Sequence, residues 1–271
     1  MLSGMDTAEY GPCDVAYHIA RLRAEGELLA GAAERAGFEA PVPACPGWRV
    51  RDLLKHLGYV HRWAAGYVRE QHARWVDRAS EAEILKGGPA DEALAGWFRD
   101  GHAALVRALE AADPGMTCWT FLEAPSPLAF WARRQAHETA IHRVDAQQAA
   151  AGAGVAGEPA LTPQFAADGI DELIMGFLGR DAKRGSWDGP PGTLTLQADD
   201  GADGSAQWRV LSEPGGLAVT RENGAADCDI TGPAAALYLL LWNRRDASGL
   251  DVRGDAAALT GFREHFRVTW T

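Results

Sequence analysis

Glu138 and His142 stand four positions apart in a stretch of helical periodicity, so their side chains project from one face, one turn above the other. His56 lies in an earlier periodic stretch, between Leu53 and Leu57 and four residues before Val60, which turns it toward the apolar side of its helix. Two imidazoles and one carboxylate from two helices are the donor set of many catalytic zinc sites, in which three protein ligands leave a position for water or substrate. Spacing alone does not decide the matter. A Glu and a His at this separation are more often a surface pair worth roughly 0.2–0.5 kcal/mol, and a lone inward His is more often a hydrogen-bonded core residue.

Such residues need elements to hold them. From Asp14 to Arg35, the residues Val15, Ile19, Leu22, Leu28 and Leu29 fall near helical spacing and predict a first helix. Pro41, Pro43 and Pro46 forbid helix in the segment that follows and make it a rigid connector ending at Gly47-Trp48. A second helix runs from Val50 to about His72 on a stripe of Leu53, Leu54, Leu57, Val60, Ala64, Tyr67 and Val68. A third spans Asp91 to Ala111, and a fourth follows Pro125 and Pro127, carrying Trp131, Ala136, Ile141 and Val144. Four helices without strand signals between them suit a four-helix bundle.

The stretch from Ala149 to Pro163 is rich in Ala, Gly and Pro and has no period, which predicts a boundary between domains at 1–152 and 160–271. Beyond it, Phe165 to Leu178 reads as helix. Thr193 to Gln197, Ala206 to Leu211, Gly216 to Thr220 and Cys228 to Thr231 read as short strands, followed by a helix from Pro233 to Trp242 and a closing helix around Phe262 to Phe266. An antiparallel sheet with helices on one face is the economical arrangement, and the whole chain is then α+β.

Composition narrows the function. With 26 Lys and Arg against 37 Asp and Glu the formal charge is −11, without the dense basic patch of a nucleic-acid binder. Met1 to Tyr10 lacks the basic and apolar regions of a signal peptide, and no stretch reaches the roughly 18 apolar residues of a membrane span, so a cytoplasmic protein is expected. Cys13, Cys45, Cys118 and Cys228 are far apart in sequence and contain no Cys-x-x-Cys pair, so reduced thiols are expected.

Two signatures add a resemblance. Val42-Pro43-Ala44-Cys45-Pro46-Gly47-Trp48 followed by Val50-Arg51-Asp52-Leu53-Leu54-Lys55-His56-Leu57-Gly58, and Trp131 to Ala146 with its Arg, Ala-His-Glu, His and Asp, resemble the mycothiol-dependent maleylpyruvate isomerases and their DinB-like relatives. The segment from Leu237 to Arg245 and on to Asp255 resembles that family's sterol-carrier-like C-terminal domain. The resemblance implies a divalent metal, usually zinc, on His56, Glu138 and His142; His61 and His137 each neighbour a ligand candidate and are read as structural, His137 because it points about 100° away from Glu138 on a helix. The resemblance also implies mycothiol, a sugar-linked cysteine thiol of actinobacteria, as cosubstrate.

A metal-activated thiol could add to an electrophile, giving cis–trans isomerisation if it is expelled and S-transfer if the adduct is kept. Trp48, Trp63, Trp97, Trp119 and Trp131 mostly fill core, but several beside the bundle mouth would suit an aromatic or apolar electrophile and favour the transferase outcome. Arg244 and Arg245 are candidates for gripping a substrate anion, although both also suit the negative C-terminal end of their helix. Arg134 is expected to pair with an acid on its own helix, and Asp145 either orients a ligand or sits solvated at a helix end. Two other classes remain open: a non-catalytic binder of lipids or small molecules, and a metal-stabilised regulatory module. Monomer and homodimer are both compatible with the sequence.

Overall fold

The structure, a computed structural model, describes residues 13–76, 79–152, 161–185, 187–200, 206–214, 216–222 and 224–268. Met1 to Tyr10 and most of the expected linker lie outside the described residues. The chain divides into two compact units, one helical and beginning at Asp14, the other beginning at Leu161.

In the helical unit α1 spans Val15–Ala36, and its N-cap Asp14 accepts from the Tyr17 backbone N–H at 2.7 Å, supplying one of the partners a helix start lacks. The proline connector closes on itself: Val42 N–H donates to the Trp48 carbonyl at 3.0 Å, Cys45 N–H to Val42 at 3.1 Å and Trp48 N–H to Cys45 at 3.0 Å. It delivers the chain into α2, Val50–Glu70, where the Asp52 carboxylate accepts from the Arg49 N–H at 2.8 Å. A short helix that periodicity does not reveal, α3 at Glu81–Lys86, begins with a capping box of Ser80 and Glu83. Helices α4, Asp91–Ala111, and α5, Pro127–Gly152, complete the unit.

Leu29, Leu53, Leu54, Leu57, Leu94 and Phe98 are almost fully shielded and form the core between α1, α2 and α4. Each such side chain contributes about 1.5–3 kcal/mol through removal of apolar surface from water. α5 differs from its neighbours: from Phe130 to Ala150 only Arg133, Gln147 and Gln148 are partly exposed, the rest being buried.

In the second unit the expected helix from Phe165 to Leu178 is α6, Pro163–Asp171, continued by a π-helical stretch at Glu172–Leu178 and by α7, Gly179–Arg184. Five strands follow: β1 Gly192–Ala198, β2 Ala206–Glu213, β3 Gly216–Thr220, β4 Cys228–Gly232 and β5 Asp251–Gly254, in the order β3-β2-β1-β4-β5. Leu194, Leu196, Trp208, Val210, Cys228 and Ile230 are buried and fall into register across the three central strands. Helices α8, Ala234–Leu241, and α9, Ala256–His265, pack against β1 and β4.

The sheet is mostly antiparallel, but β1 and β4 are parallel neighbours. The alternation of apolar residues is the same whichever way a strand runs, so the sequence pattern carries no information on that pair. Among the described residues no helix is long and apolar enough to cross a membrane.

Candidate metal centre

His56 is in the second turn of α2, and Glu138 and His142 face it from the middle of α5. All three are buried, at 2%, 6% and 8% exposure. Glu138 Oε1 lies 3.4 Å from His56 Nε2 and 3.4 Å from His142 Nε2, and one donor atom from each residue lies within 4.8 Å of the other two.

These separations are instructive. At 3.4 Å they exceed the usual 2.7–3.2 Å of an N–H···O hydrogen bond. Donors arranged tetrahedrally around an ion with bonds of about 2.0–2.1 Å are separated by about 3.3–3.4 Å, and the two separations from Glu138 Oε1 match that edge.

Arg134 and Asp145 engage two of the remaining polar atoms of the set. Arg134 Nη2 donates to Glu138 Oε2 at 3.1 Å, so each carboxylate oxygen has its own role. The expected pairing of Arg134 with an acid of its own helix is thus with Glu138 itself. His142 Nδ1 lies 2.8 Å from Asp145 Oδ2, and Asp145 is fully shielded rather than solvated at a helix end. An N–H donated to that carboxylate sets the ring so that Nε2, once it gives up its proton, presents its lone pair toward Glu138.

Burial opposes charge on Glu138 and His142, but their mutual contacts outweigh it. The bonds to His142 and His56, with Arg134 nearby, hold the Glu138 carboxyl well below its usual range. Bonds to Asp145 and Glu138 push His142 up to about 9. A buried imidazolium between two carboxylates marks a place built to hold positive charge.

The connector adds a wall. The Trp48 ring stacks on His142 with centroids 6.4 Å apart and tilts against His56 at 5.1 Å. Cys45 Sγ, from the same turn, is 3.6 Å from Asp145 Oδ2. Sequence spacing does not single out these contacts, since Cys45 and Asp145 are a hundred positions apart; the signal available was only that both sit beside ligand-bearing motifs.

Other candidates fall elsewhere. His61 Nε2 meets Thr139 Oγ1 at 2.9 Å, and His137 is wholly buried with its ring 6.0 Å from that of His18. Trp63, Trp119 and Trp131 cluster with Tyr67 and Phe121, two helical turns from the donors along α2 and α5, while Trp97 lies under the Arg62 guanidinium at 4.0 Å. Arg244 and Arg245 belong to the second unit. Arg244 donates to the Trp242 carbonyl at 2.8 Å, and Arg245 donates to the carbonyls of Asp246 and Ser248. A cleft of about 380 Å³ lined by Val68, Arg107 and Met116 contains none of the three donors. Val68 is about 18 Å along α2 from His56, so the cleft is separate from this chemistry.

The comparisons agree with this architecture. Residues 19–147 match the mycothiol maleylpyruvate isomerase N-terminal domain and residues 164–261 match the MDMPI C-terminal domain. A crystal structure of the mycothiol-dependent maleylpyruvate isomerase superposes with a TM-score of 0.63 at 14% identity, covering 94% of this chain and 97% of that one. A histidine-to-alanine mutant of it gives 0.63 at 13%, with the same coverage. No curated protein matches the chain in sequence. With both domain models matched in order, the chain belongs to the mycothiol-dependent maleylpyruvate isomerase family.

Proposed function

We propose that the protein is a metal- and mycothiol-dependent enzyme that directs a thiol onto a small electrophile, with His56, Glu138 and His142 as metal ligands and zinc as the ion. The observation that carries this reading is the pair of 3.4 Å separations between Glu138 Oε1 and the two Nε2 atoms, the edge length of a tetrahedral site and longer than the usual hydrogen bond. When bound, a divalent ion there supplies the positive charge that makes a thiol, with an ordinary pKa near 8.5, reactive at neutral pH.

The chain's own groups prepare the place. Arg134 holds Glu138 Oε2 and keeps Oε1 for the site, Asp145 holds the His142 tautomer, and Trp48 covers the rings and limits access of water. A thiol held there adds to an activated double bond or displaces a leaving group. The first course, followed by rotation and expulsion, isomerises a maleylpyruvate-type substrate; the second is S-transfer. Arg244 and Arg245 stay candidates for anion binding by the second unit, and Arg244→Ala or Arg245→Ala is expected to weaken binding of an acidic ligand more than of a neutral one.

The test is direct. Purified protein is expected to contain close to one zinc per chain, and His56→Ala is expected to lose both the metal and mycothiol-dependent turnover of a panel of electrophiles that includes maleylpyruvate. A folded His56→Ala variant with full metal content and activity refutes the reading.

A further inference from the structure

His142 has a second face. Its Nε2 is turned to Glu138, while its Nδ1 is turned to Asp145 Oδ2 at 2.8 Å, and Cys45 Sγ lies 3.6 Å from that same oxygen. One donor atom from each of Cys45, His142 and Asp145 lies within 4.8 Å of the other two, a grouping separate from the first except for the shared ring. The connector fixes the sulfur in place through the Cys45 N–H bond to Val42 and the Trp48 N–H bond to the Cys45 carbonyl. Cys45 is also half-buried, which leaves it accessible, whereas Asp145 is fully shielded.

We propose that Cys45, Asp145 and the Nδ1 edge of His142 form a second, softer metal position that competes with the first for the same imidazole. A tetrahedral ion with a thiolate at about 2.3 Å and a carboxylate oxygen at about 2.0–2.2 Å separates those two donors by about 3.6 Å, the distance found between Cys45 Sγ and Asp145 Oδ2. The His142 to Asp145 separation must open by about 0.5 Å to reach the corresponding nitrogen–oxygen edge, which breaks their hydrogen bond. A thiolate selects thiophilic ions such as cadmium or zinc over magnesium or calcium.

The proton balance makes the two positions antagonistic. An ion in the second position takes the Nδ1 lone pair while the proton on Nε2 stays, and two protons leave to solvent, one from Nδ1 of the imidazolium and one from the Cys45 thiol. With Nε2 protonated, the first position has lost a ligand; a neutral imidazole offers only one lone pair. The antagonism rests on the His56, Glu138 and His142 reading, whereas the second position stands without it.

The experiment adds one equivalent of Cd²⁺ to reduced, metal-stripped protein and follows the sulfur-to-cadmium charge-transfer absorption in the ultraviolet. Wild type and His56→Ala are expected to show the band. Cys45→Ser is expected to lose it, with cadmium affinity falling by more than the roughly 10–100-fold that removal of an outer partner costs. Zinc loaded beforehand in the first position is expected to suppress the band.

A full band in Cys45→Ser assigns the thiolate to another cysteine and overturns the proposal. Zinc and cadmium binding together with an undiminished band overturns the antagonism. A Cys45-dependent band in a protein that takes up no zinc through His56 supports the second position and refutes the first.

Discussion

Asp145→Ala separates an orienting carboxylate from a bystander. The bond from His142 Nδ1 to Asp145 Oδ2 is 2.8 Å long, with the two side chains 10% and 0% exposed. A charge-assisted bond of that kind is worth about 1.5–3 kcal/mol. Loss of an outer-shell partner of a metal-ligating His costs roughly 10–100-fold in affinity, or about 1.4–2.7 kcal/mol, so the two routes give the same magnitude.

A second effect runs the other way. Asp145 is one of the groups that push His142 up to about 9, so at pH 7 the metal must displace a proton held about two units too tightly, a roughly 100-fold handicap. Removing Asp145 relieves part of that handicap. At pH 7 the two effects offset each other; at about pH 9.5 the ring is mostly unprotonated in either protein, and only the loss of orientation remains.

The assay is zinc binding in competition with a chromophoric chelator at both pH values, in a Cys45→Ser background so that only one position is read. The variant is expected to bind zinc roughly 10–100-fold more weakly at the higher pH and by a smaller factor at pH 7. Binding within about threefold of the parent at both pH values would refute an orienting role for Asp145.

Glu25→Ala is expected to cost about 3–5 kcal/mol in urea unfolding, because Glu25 and Arg143 are both fully shielded and bonded at 2.6 Å, and its loss leaves a buried guanidinium facing a void; a loss under about 1 kcal/mol would show the void to be hydrated. Gly58→Ala places a methyl group against the Trp97 ring where α2 meets α4 and is expected to cost about 1–3 kcal/mol, read as a lowered Tm. Burial lowers the pKa of both His61 and His102, so folding keeps them neutral while the unfolded chain takes up protons near pH 6.5. Their contribution to stability is complete above that pH and is lost as the pH falls below it, so the urea midpoint should drop from pH 7 to pH 5 and drop less in His61→Asn.

The helices that carry the donors were legible because their apolar stripes face one core. Leu53, Leu54 and Leu57 repeat on α2, and all three are fully shielded. Helix α4 spans Asp91–Ala111, the range its periodicity predicts. Smaller pieces escaped for physical reasons. α3 is six residues long, too short to show a period, and only its capping box announces it. β5 is four residues long, with three of them exposed, so no buried alternation marks it. The closing helix begins six residues earlier than Phe262, at Ala256, because Asp255 caps it through the Ala257 N–H and small alanines open it.

α5 explains both the reach and the limit of the sequence reading. A helix buried on every side is ordinarily apolar all round, yet this one buries Arg134, Gln135, His137, Glu138, Thr139, His142, Arg143 and Asp145. Periodicity cannot separate its faces, because polar residues occur on all of them. What makes the arrangement tolerable is local pairing: Arg134 with Glu138, His142 with Asp145, Thr139 with the Gln135 carbonyl and with His61, and Arg143 with Glu25 and Gln147. Most of these bonds span three or four residues on one helix, so their spacing was visible in the chain while their burial was not. Burying this many polar groups for stability alone would be a poor choice, since packed apolar residues do as well or better. On the proposed metal reading, α5 holds its polar residues for the site at its centre, while the Arg143 and Glu25 pair ties the helix that carries Glu138 and His142 to α1.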